Sequence, residues 1–291
     1  MALSFGALTE LDALAAVLAR LPVPVRLHVS ERELYRPDEA PPAYRAGEHA
    51  ARVAAELRKT FPGAFLAEEA AEPEELVLDV VVAEGEPPWV GVHTHRAGLG
   101  PFAGGHFRYD VPEDVPSRAY RKIEEAIAAF DLPVRAGDRA LELGAAPGGA
   151  AYALLRRGVS VIGVDPADMD PRVLAYQGPS QATLVHHKRP MAELEREDLP
   201  DPIDWLVLDV HLAPQVALRA TSRFASQHKR SLLGAVLTLK LNDWAFLDDV
   251  ERFLAQAREL GLVAPRARQL PAHRQEIAVV GLTRLGQRRH A

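Results

Sequence analysis

No cysteine occurs among the 291 residues. That absence excludes a disulfide framework, a thiolate zinc site, an iron–sulfur cluster and a cysteine nucleophile, and it fits a reducing compartment. No apolar run approaches the ~20 residues a membrane-spanning helix needs; the longest candidates are short stretches such as VLDVVVA at 77–83. The opening MALSFGALTELDALAAVLARLP has no basic n-region and carries Glu10 and Asp12 inside its apolar part, so it reads as an amphipathic helix rather than a secretion signal. Cytoplasmic location, with no membrane partner, is the expectation. Lys and Arg are missing between Thr60 and His95, where Glu68, Glu69, Glu72, Glu74, Glu75, Asp79, Glu84 and Glu86 accumulate. This segment reads as a solvated acidic face on a loop and hairpin.

What is present is ordinary globular composition, 48% hydrophobic and 25% charged, in a chain long enough for two domains. The net charge of -6 argues at first against a polyanionic partner. The charge is unevenly divided, however. Residues 1–116 hold ten Lys+Arg against nineteen Asp+Glu, or -9, and residues 117–291 hold 24 against 21, or +3. In the first part, a helix over 44–61 with apolar Val53, Leu57 and Phe61 precedes two strand-like runs, ELVLDVVVAEG and PWVGVHTH. The pattern predicts a hairpin after a helix in a small α+β domain, residues 1–110. Residues 96–116 are rich in Gly and Pro and carry the linker to a second domain, residues 111–291.

That second part alternates helical and apolar strand-like stretches. A helix over 117–130 is followed by strands at 139–144, 159–165, 182–187, 204–210, 235–241 and 276–285, with helices after the first, the fourth and the fifth of these strands. Apolar strands alternating with helices predict an α/β, doubly wound, Rossmann-like parallel sheet.

A Gly-rich turn joins the first of those strands to its helix in ALELGAAPGGAAYALL. Gly144 permits a tight turn, Gly148 and Gly149 would let backbone approach a ligand, and the helix offers free N–H groups. Asp165 ends the next strand, 21 residues after Gly144, near the ~20 expected of an acid that binds ribose hydroxyls. The dinucleotide fingerprint G-x-G-x-x-G is not matched. Glu142, before the turn, could accept a hydrogen bond from the cofactor, and an acidic loop suits a sulfonium and repels a pyrophosphate. S-adenosylmethionine is therefore the expected cofactor, held by Glu142, Gly144, Ala145, Ala146, Pro147, Gly148, Gly149, Asp165 and Asp209.

Four ionisable residues fall where a doubly wound sheet gathers its ligands. Lys122 lies on the entry helix, Asp209 ends DWLVLD, Lys240 ends AVLTLK, and Glu276 opens the last strand. Each alone has a plain structural reading: a solvated helix lysine, a helix cap, or an edge-strand charge. Lys240 fits those readings worst, since an ammonium at the end of so apolar a strand needs a partner.

Taken in order, SRAYRKIEEA, LELGAAPGG, the Asp209 strand, LTLKL and ARQLPAHRQEIAV resemble the FtsJ family of RNA ribose 2′-O-methyltransferases, and within it the RlmM type, from about residue 116 to the end. The resemblance implies a Lys-Asp-Lys-Glu tetrad of Lys122, Asp209, Lys240 and Glu276 as the catalytic residues. Lys240 would lie nearest the ribose hydroxyl, as base or as steering donor, and Glu276 would hold a lysine. A base role needs a neutral amine, which burial and Lys122 favour and Asp209 opposes. Relatives of this type carry a longer N-terminal region, so a reduced THUMP-like module is implied here, and the family's tryptophan after the double glycine is replaced by Ala150 and Ala151.

The partner so implied is RNA, ribosomal RNA foremost. Candidate contacts are Arg118, Arg121, Lys188, Arg189, Arg223, Lys229, Arg230, Arg266, Arg268, Arg274 and the basic tail RLGQRRHA. No metal is expected, because adjacent His186 and His187 on a strand point to opposite faces. The competing readings are methyl transfer to a small molecule or protein, and a non-catalytic RNA-binding relative.

Overall fold

The computed structural model describes residues 2–7, 14–32, 47–177 and 181–290. Two compact units emerge, Met1–Arg108 and Tyr109–Ala291.

In the first unit the order is β1 (Ala2–Ala7), α1 (Leu14–Leu18), β2 (Arg26–Glu31), α2 (Glu48–Thr60), β3 (Leu76–Val82) and β4 (Trp89–Thr94). Among the described residues the expected N-terminal amphipathic helix is confined to Leu14–Leu18, because Ala2–Ala7 pair as a strand with β4; Glu10 and Asp12, and the expected start of α2 at 44–46, lie outside the described residues. The four strands form one sheet in the order β1-β4-β3-β2, with β3 and β4 the antiparallel hairpin and β2 parallel to β3. Alternation decides its faces. Leu27, Leu78, Val80, Val82, Val90 and Val92 join Leu14, Leu18, Val53 and Leu57 of the helices in the core.

The other alternating set contains Arg26, His28, Asp79 and His93. Arg26 is only 3% exposed, with its guanidinium 2.8 Å from Glu75, and Asp79 accepts from His93 at 2.5 Å. The expected solvated acidic face is thus only partly present. Glu72, Glu74 and Glu84 are exposed, whereas Glu75 pairs with the buried Arg26 guanidinium, a cation too costly to leave unpaired, and Asp79 is half-buried in a hydrogen bond with His93.

The second unit runs α3 (Ala119–Phe130), β5 (Arg139–Leu143), α4 (Gly149–Arg156), β6 (Ser160–Val164), α5 (Pro171–Leu174), β7 (Leu184–His187), β8 (Trp205–Asp209), α6 (Pro214–Gln227), β9 (Gly234–Lys240), α7 (Val250–Glu259), β10 (Val263–Arg268), β11 (Glu276–Leu282) and α8 (Arg284–His290). Its seven-stranded sheet has the order β10-β11-β9-β8-β5-β6-β7. Strands β5 to β9 are parallel, as the apolar runs predict, and all seven residues of β9 are buried, so both faces of the sheet are covered there.

The fully parallel reading needs correction at one edge. β11 runs antiparallel to β9, and β10 antiparallel to β11. VAPRAR, the sequence of β10, contains a proline and two arginines and shows no apolar run, so its signal is too weak to mark an edge strand. The chain leaves β5 toward β6 and β7, then crosses back to β8 and β9. The ends of β5 and β8 thus flank the point where the winding reverses, the place where open α/β sheets bind ligands. Among the described residues no helix is long and apolar enough to cross a membrane.

Candidate active site

Gly144 follows β5 with φ +83°, and a Cβ there would lie 2.3 Å from the Asp209 carbonyl oxygen. Only glycine lets the ends of β5 and β8 come so close. The turn is then held from the neighbouring strand end, where the Asp165 carboxylate accepts from the backbone N–H of Ala146 at 3.1 Å and of Ala167 at 2.8 Å. Beside this turn a cleft of about 540 Å³ opens. Its lining includes Ser117, Arg118, Lys122, Gly144, Ala146, Pro147, Asp165, Met191, Asp209, Leu212, Lys240 and Glu276.

The expected cofactor residues divide here. Gly144, Ala146, Pro147, Asp165 and Asp209 line the cleft, whereas Glu142, Ala145, Gly148 and Gly149 do not. Gly148 and Gly149 are small for the protein's own packing. A Cβ on Gly148 would meet Met169 Sδ at 2.5 Å, and one on Gly149 would meet Ser117 Oγ at 2.2 Å and the Tyr120 nitrogen at 2.9 Å. Ala150 and Ala151 are likewise buried in α4, away from the cleft lining.

Glu142 is 1% exposed and its Oε2 has no hydrogen-bond partner among the described residues. Burial, with Asp209 and Asp165 nearby, pushes its carboxyl well above the usual carboxylate range. It does not line the cleft, whose acidic side chains are Asp165, Asp209 and Glu276.

The four charged candidates converge into a closed square. Lys122 Nζ lies 3.0 Å from Asp209 Oδ2 and 2.6 Å from Glu276 Oε2; Lys240 Nζ lies 2.6 Å from Asp209 Oδ1 and 2.5 Å from Glu276 Oε1. Four elements supply the geometry: α3 turns Lys122 inward, β8 ends at Asp209, and Glu276 of β11 pairs in register with Lys240 of β9. The plain readings fail on position. Lys122 is 7% exposed rather than solvated, and the N-cap of α6 is Ala213, not Asp209.

Burial pulls the Lys240 ammonium down, but the Asp209 and Glu276 carboxylates outweigh it and the net shift is upward. Glu276 is pushed up by burial and pulled down further by Lys122 and Lys240, to about 2. The balance between burial and Lys122 on one side and Asp209 on the other falls toward the charged form, since a second carboxylate, Glu276, touches the same ammonium. His273 carries no motif that would single it out in the sequence. It is 3% exposed, accepts from the Leu270 N–H on Nδ1 at 3.1 Å, and burial takes its pKa down to about 4 beside the four charges.

Of the basic candidates for RNA contact, only Arg118 lines the cleft. Lys188 pairs with Asp168 and Arg189 with Asp198, each at 2.5 Å, and Arg223 donates to the Met191 carbonyl. Arg266 and Arg268 lie over the Phe130 ring, 4.9 and 6.0 Å from its centroid. The basic tail forms α8, where Arg289 pairs with Asp138 at 2.7 Å. Arg121, Lys229 and Arg230 are exposed, and Arg274 is half-buried.

Residues 115–246 match the FtsJ-like methyltransferase family. Several curated relatives are named Ribosomal RNA large subunit methyltransferase M. That of Laribacter hongkongensis is 31% identical over 214 residues, covering 69% of this chain and 54% of its own. The protein of Halorhodospira halophila is 33% identical over 191 residues, covering 63% and 52%. The chain spans about half the length of these relatives. Among solved structures, a putative hemolysin from Lactococcus lactis is similar over 60% of this chain and 91% of its own, at 15% identity and a TM-score of 0.46. Magnesium protoporphyrin IX methyltransferase from Synechocystis with bound SAH is similar over 60% and 89%, at 15% identity and a TM-score of 0.40.

Proposed function

We propose, starting from an FtsJ-like methyltransferase match over residues 115–246, that this chain methylates the ribose 2′-hydroxyl of RNA with S-adenosylmethionine, ribosomal RNA being the substrate. The observation that carries this reading is the Lys122–Asp209–Lys240–Glu276 square opening onto a cleft at the sheet's reversal point. The chain works as a small α+β module, residues 1–110, and a methyltransferase module, residues 111–291, in the cytoplasm.

The cleft fits the cofactor by its donor set. Asp165 keeps acceptor capacity beyond its two backbone bonds for ribose hydroxyls, and Gly144, Ala146 and Pro147 supply backbone and apolar wall. S-adenosylmethionine, when bound, supplies an electrophilic methyl on a positively charged sulfur. Everything else falls to the chain's own residues.

The ribose hydroxyl is a poor nucleophile that must aim a lone pair at the methyl carbon. Lys240, held as an ammonium by two carboxylates, donates to the oxygen and fixes its orientation. The hydroxyl hydrogen points to Asp209, which touches both lysines. An oxygen that gives up a lone pair to the methyl the cofactor would supply holds its proton weakly, so the Asp209 carboxylate suffices to take it. No neutral lysine is required. Orientation of the two reactants contributes much of the rate, up to ~7–11 kcal/mol in well-aligned systems.

Methylation of a small molecule or protein leaves the paired lysines without a task. The deciding experiment incubates the protein with methyl-labelled S-adenosylmethionine and total RNA, then hydrolyses in alkali. A 2′-O-methyl blocks cleavage, because alkaline cleavage uses that hydroxyl, so label in alkali-resistant dinucleotides is the expected result. Label confined to bases, or absent from RNA, overturns the proposal.

A further inference from the structure

Glu125 lies one turn after Lys122 on α3 and is 4% exposed, too buried for a solvent-facing helix acid. Both of its carboxylate oxygens are used. Oε1 accepts from the Tyr109 hydroxyl at 2.8 Å, and Oε2 accepts from the backbone N–H of Ala272 at 2.7 Å. Ala272 belongs to the segment leading into β11, four residues before Glu276. That segment is shaped further by the Leu270 N–H donating to His273 Nδ1 at 3.1 Å, and by Arg118 reaching the Ala272 carbonyl at 3.4 Å.

The consequence is mechanical. Lys122 and Glu276 come from elements far apart in sequence, yet their charged atoms lie 2.6 Å apart. The helix bearing one and the segment preceding the other are joined through the Glu125 carboxylate. A peptide N–H taken partly out of water, as at half-buried Ala272, is costly to leave without an acceptor, so the segment is held to α3 rather than loosely apposed. Tyr109, the first residue of this unit, is fixed by the other oxygen; burial and Glu125 push its hydroxyl pKa up, so it remains a donor.

We propose that Glu125 is a positioning residue of the methyl-transfer site: it docks the 269–275 segment on α3 and thereby sets the Lys122–Glu276 distance, without touching substrate or cofactor. This role rests on the function proposed above for that site. An uncharged side chain that keeps the acceptor preserves it, since a glutamine oxygen can accept from Ala272 and its amide can donate to the Tyr109 oxygen. Leucine fills the space and removes both contacts.

The test compares wild type, Glu125→Gln, Glu125→Leu and Tyr109→Phe in kcat, KM for RNA, cofactor affinity by calorimetry, and hydrogen exchange of the 269–276 peptide. Expected for Glu125→Leu is a fall in kcat of roughly 10- to 100-fold, with cofactor affinity and KM within about threefold and faster exchange confined to 269–276. Glu125→Gln recovers most of kcat, and Tyr109→Phe, which keeps the Ala272 contact, loses less than about fivefold. An unchanged kcat in Glu125→Leu overturns the role, as does a loss in Glu125→Gln equal to that in Glu125→Leu. Should Glu125→Leu fail to fold, Glu125→Gln and Tyr109→Phe decide alone: faster 269–276 exchange in Tyr109→Phe with unaltered kcat overturns it. A wild-type protein that leaves RNA ribose unmethylated, while exchange responds as stated, removes the reaction and not the docking.

Discussion

Lys240 and Glu276 sit opposite each other on the antiparallel pair β9–β11, in direct register, with Nζ 2.5 Å from Oε1. Backbone pairing of adjacent strands therefore fixes the distance between their first side-chain atoms, and no long loop has to be ordered to form the contact. Asp209 from β8 and Lys122 from α3 close the square, so two ammonium groups share two carboxylates and the group is neutral. Neutrality is what makes burial of four charges tolerable, because removing any one leaves an uncompensated charge.

The first expectation follows from that balance. Lys240→Met should abolish turnover, by at least ~10²–10⁴-fold, while cofactor affinity stays within about threefold. It should also cost about 3–5 kcal/mol in urea unfolding, the usual penalty for breaking a buried pair from one side. Lys240→Met with Glu276→Leu leaves the neutral pair of Lys122 and Asp209, and should regain at least half of that stability but no activity. A double variant as unstable as the single one contradicts the charge-balance account.

Much of this site is legible in the sequence because its residues end apolar strands. Asp209 and Lys240 are placed by β8 and β9, and Gly144 and Asp165 by β5 and β6, whose runs are unambiguous. Sequence and structure diverge where local pattern and tertiary environment part. Gly148 and Gly149 look like a ligand cradle, but what they make room for is Met169, Val173, Ser117 and the Tyr120 backbone, which sequence spacing cannot show. β10 and the partner of Arg289 depend on long-range contacts that leave no periodic trace. β2 escapes sequence reading as well: PVRLHVSE alternates a buried Arg26 and His28 with apolar residues, polar groups that read as surface.

A second expectation concerns acid. His273 has its pKa taken down to about 4 by burial, from an unfolded value near 6.5. A histidine with a depressed folded pKa contributes stability that is full above pH 6.5 and is lost as pH falls from 6.5 to 4, about 1.4 kcal/mol per unit at most. Glu276, pulled to about 2 by Lys122 and Lys240 against burial, behaves alike over the lower window from 4.5 to about 2. Glu142 and Glu125 run the other way, since burial raises both and their contribution is lost as pH rises. His273→Asn places an amide oxygen near the position of Nδ1, so it should keep the Leu270 contact and flatten unfolding free energy against pH between 6.5 and 4. Denaturant titrations at half-unit pH steps measure it, and an unchanged slope rejects a buried neutral His273.

Gly149→Ala gives a third. Its Cβ would press on Ser117 Oγ at 2.2 Å and on the Tyr120 nitrogen at 2.9 Å, the second being backbone of α3, two residues before Lys122. The expected outcome is a stability loss of about 1–3 kcal/mol and a kcat reduced more than cofactor affinity. Adding Ser117→Ala removes the nearer atom and should restore part of both. If cofactor affinity falls most and Ser117→Ala has no effect, Gly149 serves the ligand and not the helix contact.

The last expectation separates Arg118 from the other basic residues. Arg118 lines the cleft and is exposed, whereas Arg189 is committed to Asp198 at 2.5 Å. A cation that meets an RNA phosphate releases a counterion, so its removal lowers the slope of log affinity against log salt by about 0.7–0.9. Arg118→Ala should show that change and weaken binding at low salt by about tenfold, with little sequence preference in the loss. Arg189→Ala should leave the slope unaltered, because its charge is already balanced within the protein. Fluorescence anisotropy with a labelled ribosomal RNA fragment at several salt concentrations measures both. Equal slopes for wild type and Arg118→Ala would place the phosphate path elsewhere, toward the exposed Arg121 on the same helix or Lys229 and Arg230 beyond α6.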